Sequence, residues 1–163
     1  MKKLLEEIFT ELDRFIDGEN ERRRSDGGVA LPKVEIVILG QASLFLDDQV
    51  SAKLNLAQTF DLDALVRSEH LVKKKLNDLL RSHRLELEIE PEKIWIPPNS
   101  RFNLFLDLPD TRVTFQDPIF TLVSKAIKAP EKNRFLIEEA LGNVDGLEEA
   151  IVKYGGDPEE FKS

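Results

Sequence analysis

Two aspartates, Asp61 and Asp63, are the residues of this chain best suited to bind a metal ion. On a β-strand, side chains two residues apart point to the same face, about 6–7 Å from each other. The apolar residues Phe60, Leu62 and Ala64 alternate with the two acids. Carboxylates placed in this way can hold one divalent cation, or help to hold two that are about 3.5–4 Å apart. The spacing predicts a phosphoryl-transfer site; alternatively, Asp63 caps the following helix and Asp61 is solvated.

The segments before the two acids predict how they are positioned. Residues 34 to 39 are mostly β-branched or leucine, which indicates a buried strand. Gly40 then permits a tight turn into a short helix over 41–46, and the free N–H groups of a helix start suit a phosphate. Residues 58 to 63 are expected to form a second strand that pairs with or neighbours the first. The sequence therefore predicts a turn suited to phosphate and a carboxylate pair on two nearby strands.

Helical spacing of apolar residues predicts helices at both ends of the chain and in its middle. The first covers residues 2–17 and ends at Gly18, before a polar, glycine-rich loop over 18–33. A long amphipathic helix runs from about Leu65 to Ser82. The pair Asp117-Pro118 predicts a helix start, with the aspartate as N-cap and the proline in the first turn. Further helices are expected over 130–141 and 147–154.

The remaining segments predict strands. Residues 84–90 alternate between polar and apolar, and residues 102–108 and 112–115 are predicted to form two strands joined by a turn. The order of elements predicts an α/β (α+β) fold, a small mixed sheet flanked by helices with a C-terminal helical segment. We expect a single domain with its core at about 34–128, an N-terminal helix at 2–17 and C-terminal helices at 130–155.

The composition excludes several classes of protein. The chain of 163 residues can bury one sizeable core, and its absence of cysteine excludes disulfides and thiolate metal sites. A net charge of −8 argues against a protein that coats nucleic acid. No apolar run approaches the roughly 20 residues that span a bilayer, so no membrane association is expected. The charged, amphipathic N-terminal segment is unlike a signal peptide, and we expect a cytoplasmic location.

Three segments carry a resemblance to a known family. They are Leu39-Gly40-Gln41-Ala42-Ser43, Thr59-Phe60-Asp61-Leu62-Asp63 and the helix that starts at Asp117-Pro118 and includes Lys125. In this order the chain resembles the nucleotidyltransferases of the DNA polymerase β-like superfamily, especially the minimal prokaryotic ones. Those proteins carry a Gly-Gly or Gly-Ser pair after the first strand and a Thr-x-Asp-x-Asp segment on the second. The resemblance covers about residues 34 to 141.

The resemblance implies a nucleotidyltransferase-like fold and a metal-dependent reaction. A nucleoside monophosphate would pass from an NTP to a hydroxyl of a protein, an RNA or a small molecule. Asp61 and Asp63 would be catalytic and would bind Mg²⁺. The implied nucleotide-binding residues are Gly40, Gln41, Ser43, Thr59 and Lys125; the Ser43 hydroxyl would donate to a phosphate oxygen. Some proteins of this kind are the toxin of a toxin–antitoxin pair, which implies an antitoxin as a protein partner.

The same family normally has a third carboxylate on a neighbouring strand. We favour Asp107 as this third catalytic acid, because a lone acid in an apolar strand needs a reason. Glu86, Glu88 and Glu90 are the alternatives. The chain departs from the family pattern in having Gln41 after the glycine, and Ala57 where the closest relatives often have arginine. The alternative function is a catalytically degenerate member that binds nucleotides or another protein.

Overall fold

The strands of the protein form a mixed sheet flanked by helices. A computed structural model describes residues 1–88 and 91–162. Within these residues the strands are β1 (Val34–Leu39), β2 (Asp61–Arg67), β3 (Glu86–Leu87), β4 (Phe102–Asp107) and β5 (Thr111–Gln116). The α-helices are α1 (Lys2–Ser25), α2 (Gly40–Leu46), α3 (Asp48–Lys53), α4 (His70–Arg81), α5 (Pro118–Lys128), α6 (Arg134–Leu141) and α7 (Leu147–Lys153). This architecture confirms the predicted mixed α/β class with a helical C-terminal segment.

β1 lies at the centre of the sheet, whose strand order is β3-β2-β1-β5-β4. It is antiparallel to β2 and parallel to β5, while β3 is parallel to β2 and β4 antiparallel to β5. Leu39, the last residue of β1, pairs with Asp63 of β2. The turn at Gly40 therefore begins directly beside the predicted carboxylate pair.

Alternate residues of the central strands pack with α1 and α4 in one core cluster. Its buried members from β1 and β2 are Val34, Ile36, Ile38, Leu62 and Ala64. Because successive strand residues point to opposite faces, Asp61 and Asp63 lie on the other face of the sheet. A second cluster joins residues of α2, α3, α5, α6 and α7. The carboxylate pair is thus supported from behind by a core that excludes water.

The first helix is longer than the sequence predicted. α1 continues past Gly18 by seven residues, so the predicted end at Gly18 is wrong, as is the first part of the predicted loop. Glu19 accepts a hydrogen bond of 3.0 Å from Arg23, an i,i+4 pair that favours the helix. The buried Asn20 side chain accepts one of 2.8 Å from the backbone N–H of Leu31. These contacts outweigh the low helix propensity of one glycine.

The boundary between β2 and α4 also differs from the prediction. β2 continues to Arg67, and α4 begins at His70 rather than near Leu65. Residues 63–67 pair with β1 over its last five residues, and this long-range pairing outweighs the local helical spacing. Asp63 is the third residue of a strand, so the alternative in which it caps a helix is wrong.

β3 is much shorter than the strand predicted over 84–90. Its pairing with β2 is described only at Glu86 and Leu87. Arg84 has a φ of 62°, which belongs to a turn and not to a strand. Residues 89 and 90 lie outside the described residues, and with them the candidate Glu90.

The other predicted elements are largely confirmed, including β1, α2, the β4–β5 pair, α5 and α7. The N-cap Asp117 accepts a hydrogen bond of 3.2 Å from the Ile119 N–H, as its sequence position predicted. Two helical differences remain: α3 was not predicted, and α6 begins at Arg134 instead of near Pro130. None of the helices in the described ranges is long and apolar enough to cross a membrane.

Candidate functional site

The backbone at Gly40 touches the carboxylate of Asp63. Gly40 has a φ of 62°, in the left-handed region that favours glycine. A Cβ atom added there would lie 2.1 Å from Oδ2 of Asp63. The position therefore requires glycine for two reasons: its backbone conformation, and the carboxylate that occupies the place of a Cβ. The sequence predicted the turn, and only the structure shows the contact.

A buried row of hydroxyls holds this turn in place. The Ser43 hydroxyl lies 2.7 Å from the Gly40 carbonyl oxygen and 2.8 Å from the Thr121 hydroxyl. Thr121 in turn lies 2.9 Å from the side-chain carbonyl oxygen of Gln116. Ser43 is fully buried, so the prediction that it donates to a phosphate oxygen is wrong. Its role is to fix α2 against α5 beneath Gly40.

Asp61 and Asp63 lie on one face of β2, as predicted, in different environments. Asp61 is exposed, whereas Asp63 is partly buried. Thr59 lies beside them, and its hydroxyl donates to the Asp61 carbonyl oxygen at 3.1 Å and accepts from the Asp61 N–H at 3.4 Å. Within the part of the chain that the structure describes, neither carboxylate accepts a hydrogen bond. Both are therefore available to a ligand.

Charged groups of both signs act on Asp63. The pKa of Asp63 is raised to about 6, first by burial and then by the negative charges of Glu88 and Asp61, while the positive charges of Lys125 and Lys132 oppose the rise. Burial lowers the pKa of Lys125, and the charge of Asp63 opposes this change. Neither ion fully compensates the burial of the other. A cation at Asp63 and an anion at Lys125 would both relieve this cost.

This raised pKa predicts a pH-dependent effect of Asp63→Asn on stability. The pKa of Asp63 is higher in the folded state than in the unfolded state, so ionisation of Asp63 destabilises the fold. The stability of the wild type therefore falls as the pH rises from about 4 through 6. Asn carries no charge, so the free energy of unfolding of the variant, relative to wild type, should increase by about 1 kcal/mol between about pH 4.5 and pH 8, after allowance for solvent screening. Urea unfolding at both pH values measures this. Asp61→Asn, at an exposed position, is the control, and an equal change in both variants would contradict the assignment.

Glu88 is an acid that the fold brings close to Asp63. It follows β3, its backbone N–H donates to the Leu62 carbonyl oxygen at 2.9 Å, and its charge raises the pKa of Asp63. By strand alternation Glu86 shares this face, but its carboxylate lies 3.5 Å from the Arg81 guanidinium. Glu88 was one of the sequence alternatives. The fold therefore brings Glu88, and not Asp107, into the cleft beside Asp63.

Asp107, the favoured sequence candidate, lies elsewhere. It is the last residue of β4, and its carboxylate lies 2.6 Å from the Lys33 ammonium. In the sheet, Asp107 pairs with Arg112 of β5, which in turn pairs with Glu35 of β1. Strand spacings put it about 13 Å along the sheet and about 14 Å across it from Asp63. The prediction that Asp107 completes the carboxylate set is therefore wrong. This lone acid in an apolar strand instead forms an ion pair with Lys33.

A cleft of about 650 Å³ opens in front of the two aspartates. Lys125 and Lys132 line it together with Asp61, Asp63 and Glu88. A second hollow of about 450 Å³ adjoins it, shares Asp63, Lys125, Lys132 and Asn133 with it, and adds Gly40, Lys93, Trp95 and Lys128. The sequence predicted only Lys125. The other lysines lie in segments that only the folded chain brings to the site.

The two departures from the family pattern touch each other. The Gln41 side-chain amide donates a hydrogen bond of 2.9 Å to the carbonyl oxygen of Ala57. The Gln41 side chain thus ties α2 to the loop that precedes β2 and forms part of the cleft wall. This position of Gln41 leaves the Gly40 backbone facing Asp63.

Comparison with models of protein families, with curated proteins and with solved structures finds no match. The chemistry of the site therefore has to be judged from its own atoms.

The residues of the cleft fit a magnesium ion that is shared with a substrate. Among the described residues there is no group of three or more His, Cys, Asp or Glu side chains placed to hold a metal by themselves. Mg²⁺ commonly uses one or two carboxylates together with substrate phosphates and water. Asp61 and Asp63 offer two carboxylates on one face, and the missing side chain of Gly40 lets the Asp63 carboxylate lie against the backbone of the turn. The donor set thus suits Mg²⁺ that arrives with a phosphate-bearing ligand.

Proposed function

We propose that the protein is a Mg²⁺-dependent nucleotidyltransferase that moves a nucleoside monophosphate from an NTP to an acceptor hydroxyl. The observation that carries the proposal is the contact between the Gly40 backbone and the Asp63 carboxylate, at the edge of a cleft lined with lysines. A backbone without a side chain, two carboxylates that accept no hydrogen bond from the described residues, and nearby cations are groups that suit a metal–triphosphate complex. The resemblance of the Gly40 and Asp61–Asp63 segments to the polymerase β-like family supports the same function.

Each group has a distinct task in this reaction. Asp61 and Asp63 would hold Mg²⁺, which supplies neutralisation of the charge that develops on the pyrophosphate leaving group. Lys125 and Lys132, which line the same cleft, would bind the phosphates. Gly40 would let the phosphates approach the backbone. These residues bind and orient the substrate, and catalysis of phosphoryl transfer is mostly orientation and charge stabilisation.

Glu88 would act on the acceptor. The acceptor oxygen attacks the α-phosphorus, the bond from that phosphorus to the bridging oxygen of pyrophosphate breaks, and the hydroxyl proton passes to a base. A carboxylate beside Asp63 can accept this proton. The products are the nucleotidylated acceptor and pyrophosphate. The identity of the acceptor, an antitoxin-like partner and the cytoplasmic location stay predictions.

Calorimetry with Mg·ATP and Mg·GTP tests the proposal. The wild type should bind at least one of them in a Mg²⁺-dependent manner, and Asp61→Asn/Asp63→Asn should weaken this binding by about 100-fold or more, since both ligand oxygens of the metal are lost. Asp107→Asn is the matched control, because this carboxylate lies far from the cleft, and it should bind as the wild type does.

Two results would separate the alternatives. If the wild type binds neither nucleotide, or if the double variant binds equally well, the nucleotidyltransferase proposal fails. If binding depends on the two aspartates but no acceptor or water is ever modified, the protein is a nucleotide-binding module of the same kind, as the sequence alternative states.

A further inference from the structure

One aromatic ring is exposed at the wall of the cleft. Phe135, near the start of α6, is 84% exposed and lines the same cleft as Asp61 and Asp63. Its neighbour Leu136 is partly buried and packs against the second core cluster. A large apolar side chain that remains in water contributes little to folding. The exposed ring of Phe135 is therefore open to contact with a ligand in the cleft.

Side-chain amides line the same cleft as Phe135. They belong to Gln41, Asn55, Gln58 and Asn133. Glu139 of α6 fixes one of them, because its carboxylate accepts hydrogen bonds of 2.6 Å and 3.1 Å from the backbone and side-chain amides of Asn55. Amides both donate and accept hydrogen bonds, as do the edges of nucleobases. An aromatic ring bordered by amides suits a flat, polar heterocycle.

The lining of the cleft combines groups that suit the different parts of a nucleotide. It contains the carboxylates of Asp61, Asp63 and Glu88, the ammonium groups of Lys125 and Lys132, and the amides together with Phe135. The lysines suit an anion, and the carboxylate of Glu139, which lies four residues after Phe135 on α6, is hydrogen-bonded to Asn55. A ligand that has a phosphate chain and a heterocycle satisfies both sets of groups.

We propose that Phe135 is the stacking platform for the nucleobase of the substrate, and that the amides around it contact the base edge. This inference rests on the proposed function and names the part of the NTP that the cleft recognises besides its phosphates. Stacking on an aromatic ring tolerates all bases, so the amides carry the preference among them. Phe135 is a binding residue here and takes no part in the chemical step.

Comparison of two ligands isolates the base from the phosphates. Titrations with Mg·ATP and with Mg·tripolyphosphate, which lacks base and ribose, are followed by calorimetry for the wild type, Phe135→Ala, Phe135→Trp and Phe102→Ala. Phe135→Ala should weaken ATP binding by about 5- to 100-fold and leave tripolyphosphate binding unchanged. Phe135→Trp should retain ATP binding. Phe102→Ala removes an exposed ring on β4 outside the cleft and should bind both ligands normally.

The outcomes distinguish this inference from the proposed function. If Phe135→Ala binds ATP as tightly as the wild type, or loses both ligands equally, the stacking role is overturned while the nucleotidyltransferase proposal stands. If the wild type binds neither Mg·ATP nor Mg·GTP, the proposed function itself fails, and the stacking role fails with it. Because the ring is exposed, circular dichroism of Phe135→Ala should match the wild type, so a loss of ATP binding reports on the base and not on the fold.

Discussion

Gly40→Ala should be destabilised by about 2–4 kcal/mol and should lose Mg·NTP binding. The φ of 62° costs a residue with a Cβ about 1–2 kcal/mol. The new methyl group would also lie 2.1 Å from Oδ2 of Asp63, so the carboxylate, the turn or both must move. Urea unfolding measures the stability and calorimetry measures the nucleotide binding. The displacement of Asp63 explains why both properties fail together.

Two other glycines provide matched controls for Gly40→Ala. Gly27 has a φ of 77° with nothing near its Cβ position, so Gly27→Ala carries the backbone strain alone. Gly18 is helical and open, and Gly18→Ala should stabilise the protein by about 1 kcal/mol. Asp63→Ala combined with Gly40→Ala should recover part of the lost stability, because the clash is removed. If Gly40→Ala costs no more than Gly27→Ala, the close contact with Asp63 does not exist in solution.

Glu88→Gln should lower nucleotidyl transfer by about 10²- to 10⁴-fold while Mg·NTP binding changes little. The amide cannot accept the proton of the acceptor hydroxyl, and this is the usual effect of losing a general base. Single-turnover kinetics with a radiolabelled NTP measure the chemical step separately from binding. The loss should be in the rate constant of transfer and not in the affinity for the nucleotide.

Glu86→Gln is the matched control for this variant. Glu86 lies two residues earlier in the same segment, on the same face, and its carboxylate is close to Arg81. It should transfer nucleotides at the wild-type rate. Equal losses in the two variants would indicate a general effect of charge. If Glu88→Gln loses no activity, Glu88 is not the general base.

Local signals were sufficient for much of the fold. The apolar run Val34–Leu39 and the Asp117-Pro118 pair each contain the physical cause of the element they predict, a buried strand and a capped helix start. The longer α1 and the extension of β2 were not predictable in this way. Their causes are the Asn20–Leu31 hydrogen bond and the pairing with β1, which join residues distant in sequence.

The candidate site was predictable only in part for the same reason. Gly40, Asp61 and Asp63 are close in sequence to the strands that carry them, so their spacing was informative. Asp107 was favoured because nothing in the sequence reveals that Lys33 lies beside it. The resemblance implied that the Ser43 hydroxyl contacts a phosphate, yet the burial of Ser43 depends on the packing of α5, which the sequence does not reveal.

The loop before β2 is tied at two points, by Gln41 to its backbone at Ala57 and by Glu139 to Asn55. A loop held in this way has already lost much of its conformational entropy when the chain folds. Arrival of a ligand then requires little further ordering, and more of the contact energy appears as affinity. The hydrogen bonds to Glu139 also connect α6 to the wall of the cleft. If the cleft binds a nucleotide as proposed, a displacement of α6 would change the affinity for it through this loop.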